Sequence, residues 1–409
     1  MQPASAPRRG TDAVRPGTDL ALRARELVLA HEAVLSGGTP PAPVRPVVRR
    51  SWSRVMGWGV DPDGGGDRDP LPWTQVEERR RASMLGSVVE EVRQSVAAVA
   101  DVSSFLLVVT DAAGIVLWRD GSSRVRRQAD ALGFSEGADW TESRVGTNAI
   151  GTALAEAAPV QLFSAEHFEQ SQHPWYCTAV PVHDPVTGDL LGVVDVSGPA
   201  MTLHPAITAL VSTAVRLAES TLWRRHTERL GRLRESAAPL LVGSPGPSLV
   251  VDDLGWVAHA SGIATRDRVG APVAGQPIAV PGMGLCLPEP IDHGWLLRPH
   301  GGTGRLHLLL DLTGEPTVTV SGPSERWHAA LSTRHAEILR LLAASPEGLT
   351  AQALSTALYG DADHAVTVRA EVSRMRRTLG GVLAAQPYRF ADGVSVEVAS
   401  GTGSGRPSR

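Results

Sequence analysis

Apolar residues recur at three- and four-residue intervals along 20–35, with Leu20, Ala24, Leu27 and Val28 on one side, and the run stops at Ser36-Gly37-Gly38. That spacing predicts a helix with a glycine stop. Residues 1–19, rich in Pro, Arg and Gly, predict a disordered tail. After a Pro-rich link comes RRSWSRVMGWGVDP at 49–62, carrying Trp52 and Trp58, and then a Gly/Asp loop at 63–69. The stretch 78–99 returns to helical spacing, with Met84, Leu85, Val88, Val92, Val96 and Val99 on one stripe.

The period then shortens. FLLVV, the turn Asp111-Ala112-Ala113-Gly114 and IVLW predict a hairpin across 104–118. A glycine-interrupted helix over 142–156 follows, then a strand at 160–163 and a short polar helical stretch at 165–172. Strands at 177–182 and 190–196 flank a turn at 184–189, and a long helix covers 203–233. Helix, hairpin, helices, hairpin, helix is the order of an α+β domain with an antiparallel sheet. Its bounds are placed at 77–235, behind an N-terminal helical and linker segment at 20–76.

Short strands (SLVVDD, WVAHA, HLLLDL) among Gly and Pro turns predict a small β-rich module at 239–315, compatible with a PAS-like fold. Helical spacing returns over 331–390, within a domain placed at 328–395. A Gly/Ser tail at 396–409 is expected to be disordered.

In the C-terminal domain, Ser332 and Thr350 are candidate N-caps for helices at 331–344 and 351–359. The third helix, about 366–379, puts Val368, Val372, Met375 and Leu379 on one narrow stripe. Its other face carries Arg369, Ser373, Arg374, Arg376 and Arg377; Thr367 lies at its start and Arg389 in PYRF downstream. Arginine forks on an anchored helix suit guanine edges or phosphates in a major groove, whereas a solvated charged face is the plainer alternative. Seven arginines against five acids over 331–390 do not decide between them. The helix order with LYGDADHAVTVRAEVSRMRRTLG and PYRF resembles the winged-helix domain of response-regulator-type transcription factors. The resemblance implies double-stranded DNA as partner, with the seven residues just named as contacts and PYRF as a wing strand. The alternative use of these helices is docking of a protein partner.

ESRVGTNAIGTALAE at 142–156, AEHF at 165–168 and HPWYCTAVPVHDPVTGDLLGVVDVSGP at 173–199 resemble the GAF domain of acetoin-catabolism-type activators, and SWSRVMGWGVDP resembles the segment preceding it there. The likeness covers roughly 50–225 and implies a GAF-type antiparallel sheet with flanking helices that senses an unidentified small-molecule effector. Candidate effector contacts are Thr147, Asn148, Trp175, Tyr176 and Cys177, although Thr147 and Asn148 also suit a purely local role in fixing the loop. Cys177 reads as a small buried side chain, with no adjacent base to lower its pKa.

Composition narrows the picture. The formal net charge is −4, and all 39 basic residues are arginine, so a GxxxxGK[ST] loop of the kind found in the acetoin-type activators is impossible in this sequence. Control is then expected to act through DNA occupancy or through RNA polymerase. Cys177 and Cys286 have no CxxC partner, and His167, His173 and His183 fit no metal-ligand spacing, so no metal and no cofactor are expected. GxSxG, HExxH and a strand-to-helix GxGxxG are missing, which argues against an enzyme. Nothing in the sequence reads as an export signal or membrane span, and a cytoplasmic location is expected. Leu203, Ile207, Leu210, Ala214 and Leu217 have the spacing of a helix that either pairs with its copy in a homodimer or covers the GAF sheet. The expected fold class is therefore α+β multidomain: GAF-type sensor, small β-rich module and C-terminal winged helix-turn-helix, with effector binding shifting the population presented to DNA.

Overall fold

Asp19 opens the first helix, its carboxylate accepting the backbone N–H groups of Ala21 and Leu22. The computed structural model describes residues 12–64, 69–97, 105–241, 246–280, 282–299, 306–321, 326–379, 382–384, 387–391 and 394–399. The chain forms two units, residues 1–226 and 227–409.

The first unit contains α1 (Leu20–Leu35), α2 (Pro46–Trp58), α3 (Trp73–Ala82), α4 (Val89–Ala97), β1 (Leu106–Asp111), β2 (Val116–Gly121), α5 (Ser123–Asp130), α6 (Glu142–Val145), α7 (Ala149–Glu156), β3 (Val160–Phe163), β4 (Trp175–His183) and β5 (Leu190–Pro199). Its sheet has the order β2-β1-β5-β4-β3, antiparallel throughout. The unbroken apolar run of β1 follows from burial on both faces. Leu107 and Val109 pack with α1, α4 and the first half of α8 (Ile207–Leu241), while Leu106 and Val108 pack with α2, α5, α6 and α7. β5, which lies between β1 and β4, divides in the same way: Val194 and Val196 to one side, Val193 to the other.

Several expectations need correction here. The tail does not extend to residue 19: Ala13 and Val14 are buried, and the Ala13 N–H donates to Gln161 Oε1 at 2.9 Å. Residues 1–11 lie outside the described residues. The helix expected over 78–99 breaks at Ser83, which is extended (φ −83°, ψ 131°) and whose hydroxyl caps a 3-10 turn at Met84–Ser87 before α4 begins. The 20–76 segment is part of the domain that follows it. Leu27 packs on one face of the sheet, and Val48, Trp52 and Val55 on the other.

The second unit holds a five-stranded antiparallel sheet, β7-β6-β10-β9-β8, from β6 (Ser248–Val251), β7 (Val257–Ser261), β8 (Ile278–Val280), β9 (Gly284–Ile291) and β10 (Gly294–Pro299). Leu233 and Ala237 of α8 pack on its Val250 and Leu296. A second sheet, β13-β12-β11-β16, is built from β11 (Leu306–Asp311), β12 (Thr317–Ser321), β13 (Arg326–Ala330) and β16 (Val394–Ala399), with β11 and β16 parallel. It carries α9 (Thr333–Ala343), α10 (Ala351–Tyr359) and α11 (Ala365–Leu379) on a shared core. HLLLDL, placed with the β-rich module in the sequence, is β11 and belongs to this helical part. Residues 394–399, expected to straddle the start of a disordered tail, instead pair as β16; 400–409 lie outside the described residues.

Candidate functional site

The ESRVGTNAIG segment shows why its residue types are needed. Gly146 has φ +71°, and a Cβ there would lie 2.9 Å from that of Phe168; a Cβ on Gly151 would sit 2.5 Å from the Glu142 backbone nitrogen. The chain therefore turns from α6 into α7 against its own backbone, which only glycine permits. Asn148 caps α7, its Oδ1 accepting from the Gly151 N–H and its Nδ2 donating to the Gly146 carbonyl, both at 2.9 Å. Thr147 is buried, with Oγ1 2.7 Å from Ser51 Oγ; that hydroxyl also donates to Glu142 at 2.5 Å. Both candidate contacts thus hold the loop in place.

Trp175, Tyr176 and Cys177 fall on β4 and point alternately. Trp175 and Cys177 join the core beneath α7, and Tyr176 joins the opposite core, so the structure does not bring the three together. Burial and the nearby Asp195 carboxylate hold the Cys177 thiol well above its ordinary pKa. Next to it lies a cluster that the sequence reading missed. In register, Cys177 faces Ser197 of β5 and Ala179 faces Asp195, while Val108 of β1 lies beyond Asp195. The Ser197 hydroxyl is 2.5 Å from Asp195 Oδ2 and 3.0 Å from Cys177 Sγ. Asp195 is 1% exposed, and burial pushes its carboxyl up to about 7. The signal was present: one acid in the middle of the apolar run LLGVVDVSG. On the other face, an open groove of about 280 Å³ is lined by Leu107, Val109 and Trp118, and its charged rim, Glu90, Arg93 and Asp120, is mutually ion-paired.

His167 and His173 lie near His31 of α1, whose ring is 4.9 Å from that of His173; desolvation lowers the pKa of all three. His183 stands apart beside Glu219, 3.9 Å away. Among the described residues, no three His, Cys, Asp or Glu side chains are grouped to hold a metal ion.

In the second unit, Ser332 and Thr350 cap α9 and α10 through the His335 and Ala353 N–H groups. The buried Ser355 hydroxyl donates to the Asp361 carbonyl at 2.8 Å and accepts the His364 N–H at 3.1 Å, which fixes the turn into α11. Val368, Val372, Met375 and Leu379 are each at most 1% exposed. Thr367, Arg369, Ser373, Arg374 and Arg376 are exposed, as is Val366. Arg374 pairs with Glu371 at 2.7 Å, and Glu371 also receives His335 of α9 at 3.0 Å. The side chain of Arg377 lies outside the described residues. Arg389 is half-buried on β15 (Arg389–Phe390), which pairs with β14 (Leu383–Ala384), and Tyr388 bridges to Leu349 ahead of α10. Among the described residues, no helix is long and apolar enough to cross a membrane.

Comparison with known proteins adds to this geometry. Residues 17–219 match the model of the MimR N-terminal domain. Over 394 residues the chain is 34% identical to an uncharacterized 47.3 kDa protein in the thcA 5′ region of Rhodococcus erythropolis, covering 94% of this chain and 74% of that protein. It is 31% identical over 218 residues to the acetoin dehydrogenase operon transcriptional activator AcoR of Bacillus subtilis, covering 51% of this chain and 36% of AcoR. It is 29% identical over 215 residues to the propane 2-monooxygenase operon transcriptional activator MimR of Mycolicibacterium goodii, covering 51% of this chain and 34% of MimR. The chain therefore spans about a third of the length of these two activators.

Proposed function

The chain belongs to the family of sensory transcription regulators that carry a MimR N-terminal domain, and from this membership we propose that it is a one-component regulator, binding a small-molecule effector in a GAF-type first unit and double-stranded DNA through a winged helix in the second. The observation that carries the DNA half is α11. Its four apolar side chains are sealed against α9, α10 and the sheet, so the helix is rigidly mounted, while Thr367, Arg369, Ser373, Arg374 and Arg376 project from its free side. A mounted helix with exposed guanidinium groups suits insertion into a major groove, where arginine forks reach guanine edges and phosphates. In this reading β15, which carries Arg389 and pairs with β14, would serve as the wing strand.

For the sensing half, support comes from a sheet packed on both faces, with buried polar side chains among the apolar ones, Gln161 and Thr178 on the α8 side and Asp195 and Ser197 on the other. Effector binding would shift the population of states offered to DNA, and transcription would follow occupancy or contact with RNA polymerase. We place the protein in the cytoplasm as a homodimer and assign it no catalytic role. Selection of bound duplexes from a random double-stranded pool tests this function. Full-length protein is expected to enrich a defined motif that an Arg369→Ala, Arg376→Ala double variant no longer enriches; an unenriched pool would refute the DNA half.

A further inference from the structure

We propose that Asp195 is the recognition group for the effector, and that the effector is a small molecule offering a hydrogen-bond donor, hydroxyl or amine, to Asp195 Oδ1. The inference rests on the sensing function proposed above and deepens it to a ligand class.

Asp195 Oδ1 is buried and meets no donor at full hydrogen-bond geometry; the Thr178 backbone N–H lies close enough to favour the charged carboxylate, and among the described residues no cation pairs with it. Its other oxygen takes the Ser197 hydroxyl. That hydroxyl has a single proton, so with the proton directed to the carboxylate, Cys177 Sγ at 3.0 Å is left as donor to Ser197. The chain of donors thus ends on Oδ2 and does not reach Oδ1. Thr110 Oγ1, two residues along β1 from the Val108 that pairs with Asp195, is also fully buried and unpartnered. Two orphaned polar atoms therefore lie on the same face of adjacent strands. The partners of Asp195 in register, Val108 and Ala179, and Val193, which pairs with Thr110, are apolar members of one core cluster.

A buried carboxylate oxygen without a full donor is costly, and folded proteins rarely keep one without a use. A methyl or amide at this position would remove the cost. What the ionised Oδ1 lacks is a full donor, which a hydroxyl or an amine supplies. Burial raises this carboxyl to about 7, and the hydrogen bonds from Ser197 and Thr178 offset only part of that rise. The few polar positions suit a ligand of a few heavy atoms with one anchoring group and an apolar remainder.

The test is saturation-transfer NMR on the full chain with three probes of one carbon skeleton: butan-2-ol, butan-2-amine and butanone. The alcohol or the amine, whichever fits, should give a signal about tenfold above the ketone, because a site built to receive a donor rejects the analogue lacking it. Asp195→Asn presents an N–H and should shift the preference to butanone. If the Asn variant does not fold, Ala179→Val adds methyls beside Asp195 and should abolish the donor signal; a signal that persists overturns the proposal. Equal signals from all three probes, unaltered by Asp195→Asn, would overturn the Asp195 assignment while leaving the sensing function in place. No signal from any probe, together with no small molecule in a denatured extract of the purified protein, would remove the sensing function as well.

Discussion

Arg54 and Glu142 meet fork to fork, Nε to Oε2 at 2.7 Å and Nη2 to Oε1 at 2.8 Å, joining α2 to the start of the ESRVGTNAIG segment. Glu142 is 3% exposed and also accepts from Ser51. This pair ties RRSWSRV to ESRVGTNAIG, with the two paired residues 88 positions apart in the chain.

Arg54→Ala would leave the Glu142 carboxylate buried with its charge uncompensated. Stability should fall by about 3 kcal/mol in denaturant titration, and Glu142→Gln should cost less because the Ser51 bond survives. Equal small losses would show that the pair contributes little.

Gly151→Ala forces a Cβ to within 2.5 Å of the Glu142 nitrogen and 2.9 Å of the Trp140 carbonyl oxygen, both backbone atoms. It should cost about 3 kcal/mol or more and reduce soluble yield. Gly231→Ala, in α8 with no atom within 4 Å of the new Cβ, should instead stabilise by about 1 kcal/mol. Thermal melts of the two variants moving in the same direction would contradict this.

Acid should destabilise the first unit. His167 and His173 are pushed down to about 4 from 6.5, chiefly by burial. Since the unfolded chain then protonates first, their stabilising effect is complete above about pH 6.5 and is lost towards pH 4. Asp195 acts oppositely, its carboxyl raised to about 7 from 3.8, so that stability is lost as pH rises through that window. Two imidazoles outweigh one carboxyl, and the wild-type melting temperature should fall on acidification. Asp195→Asn should steepen that fall and raise stability near pH 8 by about 2–4 kcal/mol. A variant whose pH profile overlays the wild type would refute the assignment.

Within α11, core and surface should separate cleanly. Met375→Ala should cost about 2–5 kcal/mol of stability. Arg369→Ala should leave the melting temperature unchanged and weaken operator binding by about 1–3 kcal/mol. A melt shift from Arg369→Ala comparable to that from Met375→Ala would mean that the arginine is structural.

Periodic, locally determined features were legible in the sequence. The α11 stripe, the β1–β2 hairpin and the Ser332 and Thr350 caps all follow from spacing and cap chemistry. What escaped was non-local. β11 looked like any other short strand of its neighbourhood, because its partner β16 is almost ninety residues away. Ala13 and Val14 looked like tail because no local pattern announces the bond to Gln161. The helix break at Ser83 was hidden because Leu85, Val88 and Val92 keep helical spacing across it. At the candidate site, the motif drew attention to Thr147 and Asn148, whose bonds are local, whereas Asp195 gains its character only from the strands and helices packed around it.

The most direct measurement is fluorescence anisotropy of the full chain on a duplex drawn from the selection, titrated with salt and repeated with Arg369, Arg374 and Arg376 each replaced by Ala. The affinity should fall log-linearly with salt, favour the selected duplex over a scrambled one by about a thousandfold, and lose about one unit of slope for each arginine that contacts a phosphate. Equal affinity for selected and scrambled duplexes, unaffected by the three replacements, would contradict a DNA-reading role for α11.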